Sequence, residues 1–190
     1  MNKPCPACGE VFLCNVENIQ NCGCNTVQLD IATQERIAQK YLDCLCPNCL
    51  KKYQEIMSKL EDKIQQSKTH VFKAVFPNTT NHYDTLFGGT ALQMMDEVAF
   101  ICATRFCRKK VVTVSSDRVD FKHPIPAGTL IELIAEVIEV GRTSLKVKVD
   151  IFVEEMYQEN RDKAITGIFT FVAVNELKRP VSILPSSMHV

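Results

Sequence analysis

The sequence predicts an α+β chain: an antiparallel sheet curled around one central helix, preceded by a small cysteine-rich module. Three observations carry that expectation. Eight of the ten cysteines fall before Leu50. From Thr90 to Thr104 nearly every residue is apolar or small, and Asp96 and Glu97 are the only charges. Beyond Lys110 four long segments follow one another, Val111 to Phe121, Thr129 to Val140, Thr143 to Met156 and Lys163 to Asn175, each ended by turn-forming residues. Consecutive strands around one helix build an antiparallel layer rather than a parallel α/β sheet.

The cysteine-rich module is expected over residues 1–52. Cys5-Pro-Ala-Cys8 and Cys46-Pro-Asn-Cys49 have the two-residue spacing that lets one tight turn offer two sulfurs to a tetrahedral ion. With Cys14, Cys22, Cys24 and Cys44 they make eight thiols, enough for two closed four-sulfur sites. Such sites are structural, since no position is left for water or substrate, and zinc is the expected ion, up to two per chain. Spacing does not tell which cysteines share an ion. Free thiols or redox chemistry is the competing reading, but so short a loop segment with few large apolar residues needs a staple to fold. Leu50, Tyr53, Met57, Leu60 and Ile64 then recur at helical spacing, which predicts an amphipathic linker helix over 53–69.

The second domain is expected over 70–180, with a tail at 181–190. His70 to Phe76 reads as a first strand, ended by Pro77-Asn78-Thr79-Thr80-Asn81. Gly88 and Gly89 open the apolar helix, which is predicted to be buried. A carboxylate there must be paired, protonated or at work, because desolvating an ion costs several kcal/mol. Leu145, Val147, Val149, Ile151 and Val153 alternate with Ser144, Lys146, Lys148 and Asp150, giving that strand one dry and one wet face.

Composition narrows the class. Lys plus Arg equals Asp plus Glu at 22 each, with eight of each sign before His70, so no net charge draws the chain to nucleic acid. No run approaches the roughly 18 apolar residues of a membrane span, and the polar start lacks the regions of a signal peptide. A cytoplasmic protein with no membrane partner is expected.

Two resemblances follow from these residues. Cys5-Pro6-Ala7-Cys8-Gly9, Cys14, Cys22-Gly23-Cys24 and Cys44-Leu45-Cys46-Pro47-Asn48-Cys49-Leu50 resemble the small cysteine-rich CWC modules, in which Trp commonly stands where this chain has Gly23. Asn81 to Gly89, Met95-Asp96-Glu97, Val112-Thr113-Val114, Asp120-Phe121, Pro124 to Gly128 and Gly141-Arg142-Thr143-Ser144 together resemble the hot-dog-fold acyl-CoA thioesterases. That likeness implies a sheet of five or six strands around one long helix, a dimer or trimer of dimers with CoA sites at the subunit junction, and hydrolysis of acyl-CoA in fatty-acid metabolism without a catalytic cofactor.

Thioester cleavage needs an activated oxygen nucleophile and donors for the developing oxyanion. A helix start offers unpaired N–H groups, and glycine lets substrate approach them. Gly89 N–H is therefore the expected carbonyl contact, with Gly88 shaping the turn. The resemblance implies Asp96 as the catalytic carboxylate, either a general base on water or a nucleophile forming an anhydride. It also implies that Asn81 orients water or the carbonyl, unless it is an ordinary turn residue. Glu97 lies about 100° round the helix and is expected at an interface or behind the site. Arg142, Thr143 and Ser144 match the family's CoA-side segment; Lys122 and His123 are less specific phosphate candidates. Met94, Met95, Phe100 and Phe106 pack the core or line an acyl tunnel. Asp84 stands where the family usually has Gly, a departure expected to affect the loop or the pocket. The alternative functions are a non-catalytic acyl-CoA sensor whose cysteine-rich module contacts a partner, and a related hydratase or dehydratase.

Overall fold

In chain order the computed structural model contains β1 (Asn2–Pro4), β2 (Val11–Leu13), α1 (Ile31–Lys40), α2 (Pro47–Ser67), β3 (Thr69–Ala74), α3 (Gly88–Cys107), β4 (Lys110–Phe121), β5 (Thr129–Val140), β6 (Ser144–Glu155) and β7 (Asp162–Val174). It describes residues 1–15 and 17–185, with Ile19 described by its backbone alone. The last residues of the tail expected at 181–190 lie outside the described residues. Internal contacts separate two units, dividing between Asp62 and Lys63.

In the first unit β1 and β2 form an antiparallel hairpin, Asn2 opposite Leu13 and Pro4 opposite Val11. Helix α1 was not foreseen. Asp30 caps it, Oδ1 accepting from Thr33 N–H at 2.8 Å and Oδ2 from the Thr33 hydroxyl at 2.6 Å. An Asp three residues before a Thr, followed by Gln-Glu-Arg, was the legible signal. Helix α2 begins at Pro47, inside the second Cys-x-x-Cys knuckle, because proline is pre-set for the first turn of a helix. Its stripe buries Leu50, Tyr53, Ile56 and Leu60. The core of this unit gathers Cys5, Leu45, Cys46, Leu50 and Tyr53, flanked by Phe12, Val27, Ile37 and Tyr41. Tyr53 donates to the Tyr41 hydroxyl at 3.2 Å, their rings edge to face.

The second unit is a five-stranded sheet of order β3-β5-β6-β7-β4, antiparallel throughout, with α3 across one face. Leu145, Val147, Val149 and Ile151 of β6 are fully covered, as their alternation with polar residues demands. They meet Ala91, Met95, Val98, Ala99, Cys102, Ala103 and Phe106 of α3 on the inner side of the sheet. Small residues on that helix face let it approach closely. The approach is tightest at Gly167 of β7, where an added Cβ would lie 3.0 Å from Met95 Cε and Val119 Cγ2.

The helix is not buried all round. Leu92, Phe100 and Ile101 are exposed, because the sheet covers only one of its sides within a single chain. Strand β4 is an edge strand whose register slips twice, between Thr113 and Ser115 and between Asp117 and Asp120.

Candidate active site and thiolate centre

The chain is pinned where it enters α3. Leu86 N–H donates to Ile125 O at 2.7 Å and Phe87 N–H to Thr79 O at 3.0 Å. Phe87 is the N-cap and contributes no side-chain bond, and no acidic residue stands in the first turn. The first N–H groups of the helix therefore keep their partial positive charge for an incoming acceptor. A Cβ at Gly89 would lie 2.7 Å from the Phe87 ring, so glycine keeps this exposed backbone open. Gly88 differs from expectation. It sits inside the right-handed helix, and a Cβ there would make an ordinary 3.7 Å contact with Phe121. Conformation does not demand glycine at that position.

The loop before the helix is organised by Asn81. Its Oδ1 accepts from Tyr83 N–H at 2.9 Å, Thr85 N–H at 3.3 Å and the Thr85 hydroxyl at 3.1 Å. That is the turn role; a substrate contact would fall to the Nδ2 amide. Asp84 has φ 57°, the left-handed region, which explains why glycine suits the position and why Asp, tolerant of that region, can replace it. Asp84 C=O accepts from Ala127 N–H at 2.8 Å, tying the loop to the β4–β5 connection.

Asp96 lies two turns into α3, half-buried rather than enclosed, since α3 leaves this flank open. Its Oδ1 accepts a hydrogen bond from the Thr113 hydroxyl of β4 at 3.0 Å. Thr113 faces the helix beside the first register slip of the strand. Sequence reasoning gave this threonine no role, although a hydroxyl between Val112 and Val114 was visible. Glu97 points elsewhere, held by Gln93 at 3.1 Å and Lys73 at 3.7 Å. Gly89 and Asp96 are seven residues apart, about 10 Å along a helix axis. One chain's glycine donor and carboxylate are thus separated by about two helical turns.

The remaining candidates divide between the two ends of the sheet. Lys122 and His123 are exposed beside the glycine end, on a cleft of about 270 Å³ shared with Leu86, Phe121 and Ile125. Arg142, Thr143 and Ser144 form the β5–β6 turn at the opposite end, where Ala173 N–H donates to Thr143 O at 3.0 Å and Ile183 N–H to Arg142 O at 2.8 Å. At that end β4 and β7 also meet, Lys110 opposite Val174. A cavity of about 980 Å³ opens there, lined by Phe100, Val112, Arg108, Lys110 and Lys178 among others. Of the four apolar candidates, Met95 and Phe106 are core residues, and Phe100 faces this cavity.

In the first unit the sulfurs of Cys5, Cys8, Cys46 and Cys49 all lie within 4.8 Å of one another, with Cys8 and Cys46 at 3.8 Å. Four sulfurs about 2.3 Å from a tetrahedral ion sit about 3.8 Å apart, so this group fits zinc. Cys46 N–H donates to Cys5 Sγ at 3.3 Å and Cys49 N–H to Cys46 Sγ at 3.4 Å. Burial opposes ionisation of Cys5, but backbone N–H groups of Cys46, Ala7 and Cys8 outweigh it and bring the thiol down to about 6. Burial and the neighbouring thiols push Cys49 up. At Gly23 a Cβ would come within 3.1 Å of the Pro47 ring, so a larger residue there requires the ring to shift by a few tenths of an ångström.

Comparison with known proteins agrees with this architecture. Residues 83–159 match the thioesterase superfamily and residues 5–51 match the cysteine-rich CWC family. An uncharacterized acyl-CoA thioester hydrolase of Zymomonas mobilis is 38% identical over 109 residues, 57% of this chain and 73% of that one. An acyl-CoA hydrolase from Staphylococcus aureus, solved with butyryl-CoA and CoA, is 36% identical with a TM-score of 0.61, covering 63% of this chain and 73% of that one. Alanine variants of it have been solved at an asparagine, an aspartate and a threonine spaced 15 and 17 residues apart, the same intervals that separate Asn81, Asp96 and Thr113. A hexameric acyl-CoA thioesterase is 35% identical at the same TM-score, covering 63% of this chain and 76% of that one. With its hot-dog sheet and helix and its loop, glycine pair and aspartate in the matching order, the chain belongs to the acyl-CoA thioester hydrolase family of the thioesterase superfamily.

Proposed function

We propose that the protein hydrolyses acyl-CoA thioesters to a carboxylic acid and free CoA, with Asp96 as general base. The observation that carries this is the 3.0 Å hydrogen bond from Thr113 to Asp96. It fixes one carboxylate oxygen and leaves the other to take a proton from water. That water adds to the carbonyl carbon, the oxyanion is held by Gly89 N–H at the start of α3, and the tetrahedral adduct expels the CoA thiolate. An N–H donor of this kind contributes about 2.7–4 kcal/mol to lowering the barrier. Because Gly89 and Asp96 of one chain are about 10 Å apart, the loop and glycines of one copy face the carboxylate and threonine of another. A homodimer is then the smallest active unit, and a trimer of dimers accords with the hexameric relative. The exposed Leu92, Phe100, Val112 and Val114 are the apolar surface such a pairing covers.

Arg142, Thr143 and Ser144, and less specifically Lys122 and His123, take the phosphates of CoA. Zinc occupies the Cys5, Cys8, Cys46, Cys49 centre in a structural role, and a reducing cytoplasm keeps those thiols available to it. Among the described residues no helix is long and apolar enough to cross a membrane. The test is a panel of short, medium, long and aromatic acyl-CoAs followed with a thiol reagent. Turnover of at least one is expected, and Asp96→Asn should lose most of it while remaining folded. Tight binding without product release would replace the hydrolase with a sensor. In a single turnover in 18O-water, label entering Asp96 would replace the general-base route with an anhydride.

A further inference from the structure

Four more cysteines of the first unit lie outside the first thiolate group, and Cys14 among them sits at the open end of the hairpin. Met1 and Cys14 exchange hydrogen bonds, Cys14 N–H to Met1 O at 2.8 Å and the Met1 ammonium to Cys14 O at 2.9 Å. Cys5 comes four residues after Met1, about 13 Å along an extended strand. Cys5 and Cys14 therefore cannot bind one ion. Cys14 and Cys22 are both buried, at 2% and 5% exposure, in a module with few large apolar groups to cover them. Cys22 and Cys24 bring their sulfurs to 3.0 Å across the Gly23 turn. Cys14 interacts through its side chain with both Cys22 and Cys44, and Cys24 feels the charge of Cys44. Cys14 thus links the Cys22–Cys24 pair to Cys44, in a group more open than the first.

A cation stands over it. The side chain of Lys3 is 14% exposed, its Nζ lies 2.5 Å from Asp43 Oδ1, and both Cys44 and Cys14 act on it electrostatically. Asp43 Oδ1 also accepts from Cys44 N–H at 2.7 Å. Lys3 and Asp43 neutralise one another, so the pair adds no net charge beside the thiols. The Cys44-Leu45-Cys46 tripeptide serves both groups, with Leu45 buried in the core between them.

We propose that Cys14, Cys22, Cys24 and Cys44 form a second, separate four-thiolate site for a zinc-class divalent ion. The two sites are nested in the sequence, the second set lying wholly between Cys8 and Cys46. Binding releases the thiol protons to solvent and closes the site, so its role is to hold Gly23 to Thr26 and the chain before α1 in place. The proposal rests on the first centre also holding metal, and one titration distinguishes the two. Full-length reduced, metal-free protein is titrated with Co2+, following the sulfur-to-metal charge-transfer band. Two equivalents should bind with tetrahedral thiolate spectra, and the paired changes Cys14→Ser with Cys44→Ser and Cys8→Ser with Cys49→Ser should each leave one. A wild-type end point at one equivalent overturns the second site and keeps the first; an end point at zero overturns both. Retention of two equivalents by the Cys14/Cys44 double variant also overturns it.

Discussion

Replacing Thr113 with valine removes a single oxygen and keeps a β-branched side chain suited to its strand. In the structure that oxygen has a defined partner, Asp96 Oδ1 at 3.0 Å. A hydrogen bond to a charged group contributes about 1.5–3 kcal/mol, and each 1.36 kcal/mol on a barrier is about tenfold in rate. Both residues are partly open to water, which can substitute for the lost hydroxyl, so the lower half of that range applies. The expected loss is roughly ten- to fiftyfold in kcat. The Michaelis constant should change little, because the contact aims a base rather than holding substrate. Asp96→Asn should cost more, about 10²–10⁴-fold, the usual worth of a general base. The decisive measurement is the double variant. If Thr113 acts through Asp96, valine at 113 costs almost nothing once Asp96 is already Asn. Steady-state kinetics on one good acyl-CoA, with thermal melts of all four proteins, supply the assay. An equal fold-loss in both backgrounds refutes the coupling, and wild-type kcat in the single variant refutes the role outright.

Other outcomes follow from the loop and the outer sheet face. Asn81→Asp keeps an acceptor for the three turn donors but loses the Nδ2 donor, so melting should hold while kcat falls; Asn81→Ala should do both harms, with about 1–2 kcal/mol of stability lost with the turn bonds. Asp84→Ala forces a Cβ-bearing, non-polar residue to φ 57° and should lower the melting temperature by about 2–4 °C for a cost near 1 kcal/mol, whereas Asp84→Gly should not. Glu132 is buried on β5; burial pushes its carboxyl up, but hydrogen bonds from His70 at 2.7 Å and Arg161 at 2.5 Å outweigh this and leave it below the ordinary value. Its stabilising contribution is full above the unfolded value of about 4.3 and is lost as pH falls through the folded one. Glu132→Gln should therefore flatten the acid limb of a stability-against-pH curve while leaving a lower plateau at neutral pH; an unchanged acid limb would refute it.

How much of this was legible beforehand depended on whether a feature is local in the chain. Strands β5, β6 and β7 and helix α3 could be read directly, because alternation and apolar runs report burial at the residue that carries them. The left-handed need at Asp84 was visible as a departure from glycine. Features that depend on long-range geometry were not visible. Thr113 and Asp96 are 17 residues apart and become partners only when β4 lies against α3. Cys5 and Cys14 are parted by the pairing of two three-residue strands, which spacing does not reveal. The enclosure predicted for Asp96 was overstated for a related reason: an apolar helix signals something to be covered, but not whether the cover comes from its own sheet. Helix α1 was missed although Asp30 and Thr33 marked its start.

The register slip at Thr113 and Ser115 has a consequence of its own. Before it, Val111 and Thr113 pair with the inward Ala173 and Phe171; after it, Ser116 pairs with the inward Phe169. Val114 is the extra residue, and it acts as a phase shift between two halves of one strand. The stretch before it sets which atom touches Asp96, while Phe121, beside Gly88, lies beyond the second slip as well. Deleting Val114 would remove the bulge and restore plain alternation, Thr113 inward, Ser115 outward and Ser116 inward, with every later partner on β7 unchanged. A reading frame, in the geometric sense, separates the chemistry of this strand from the surface it presents.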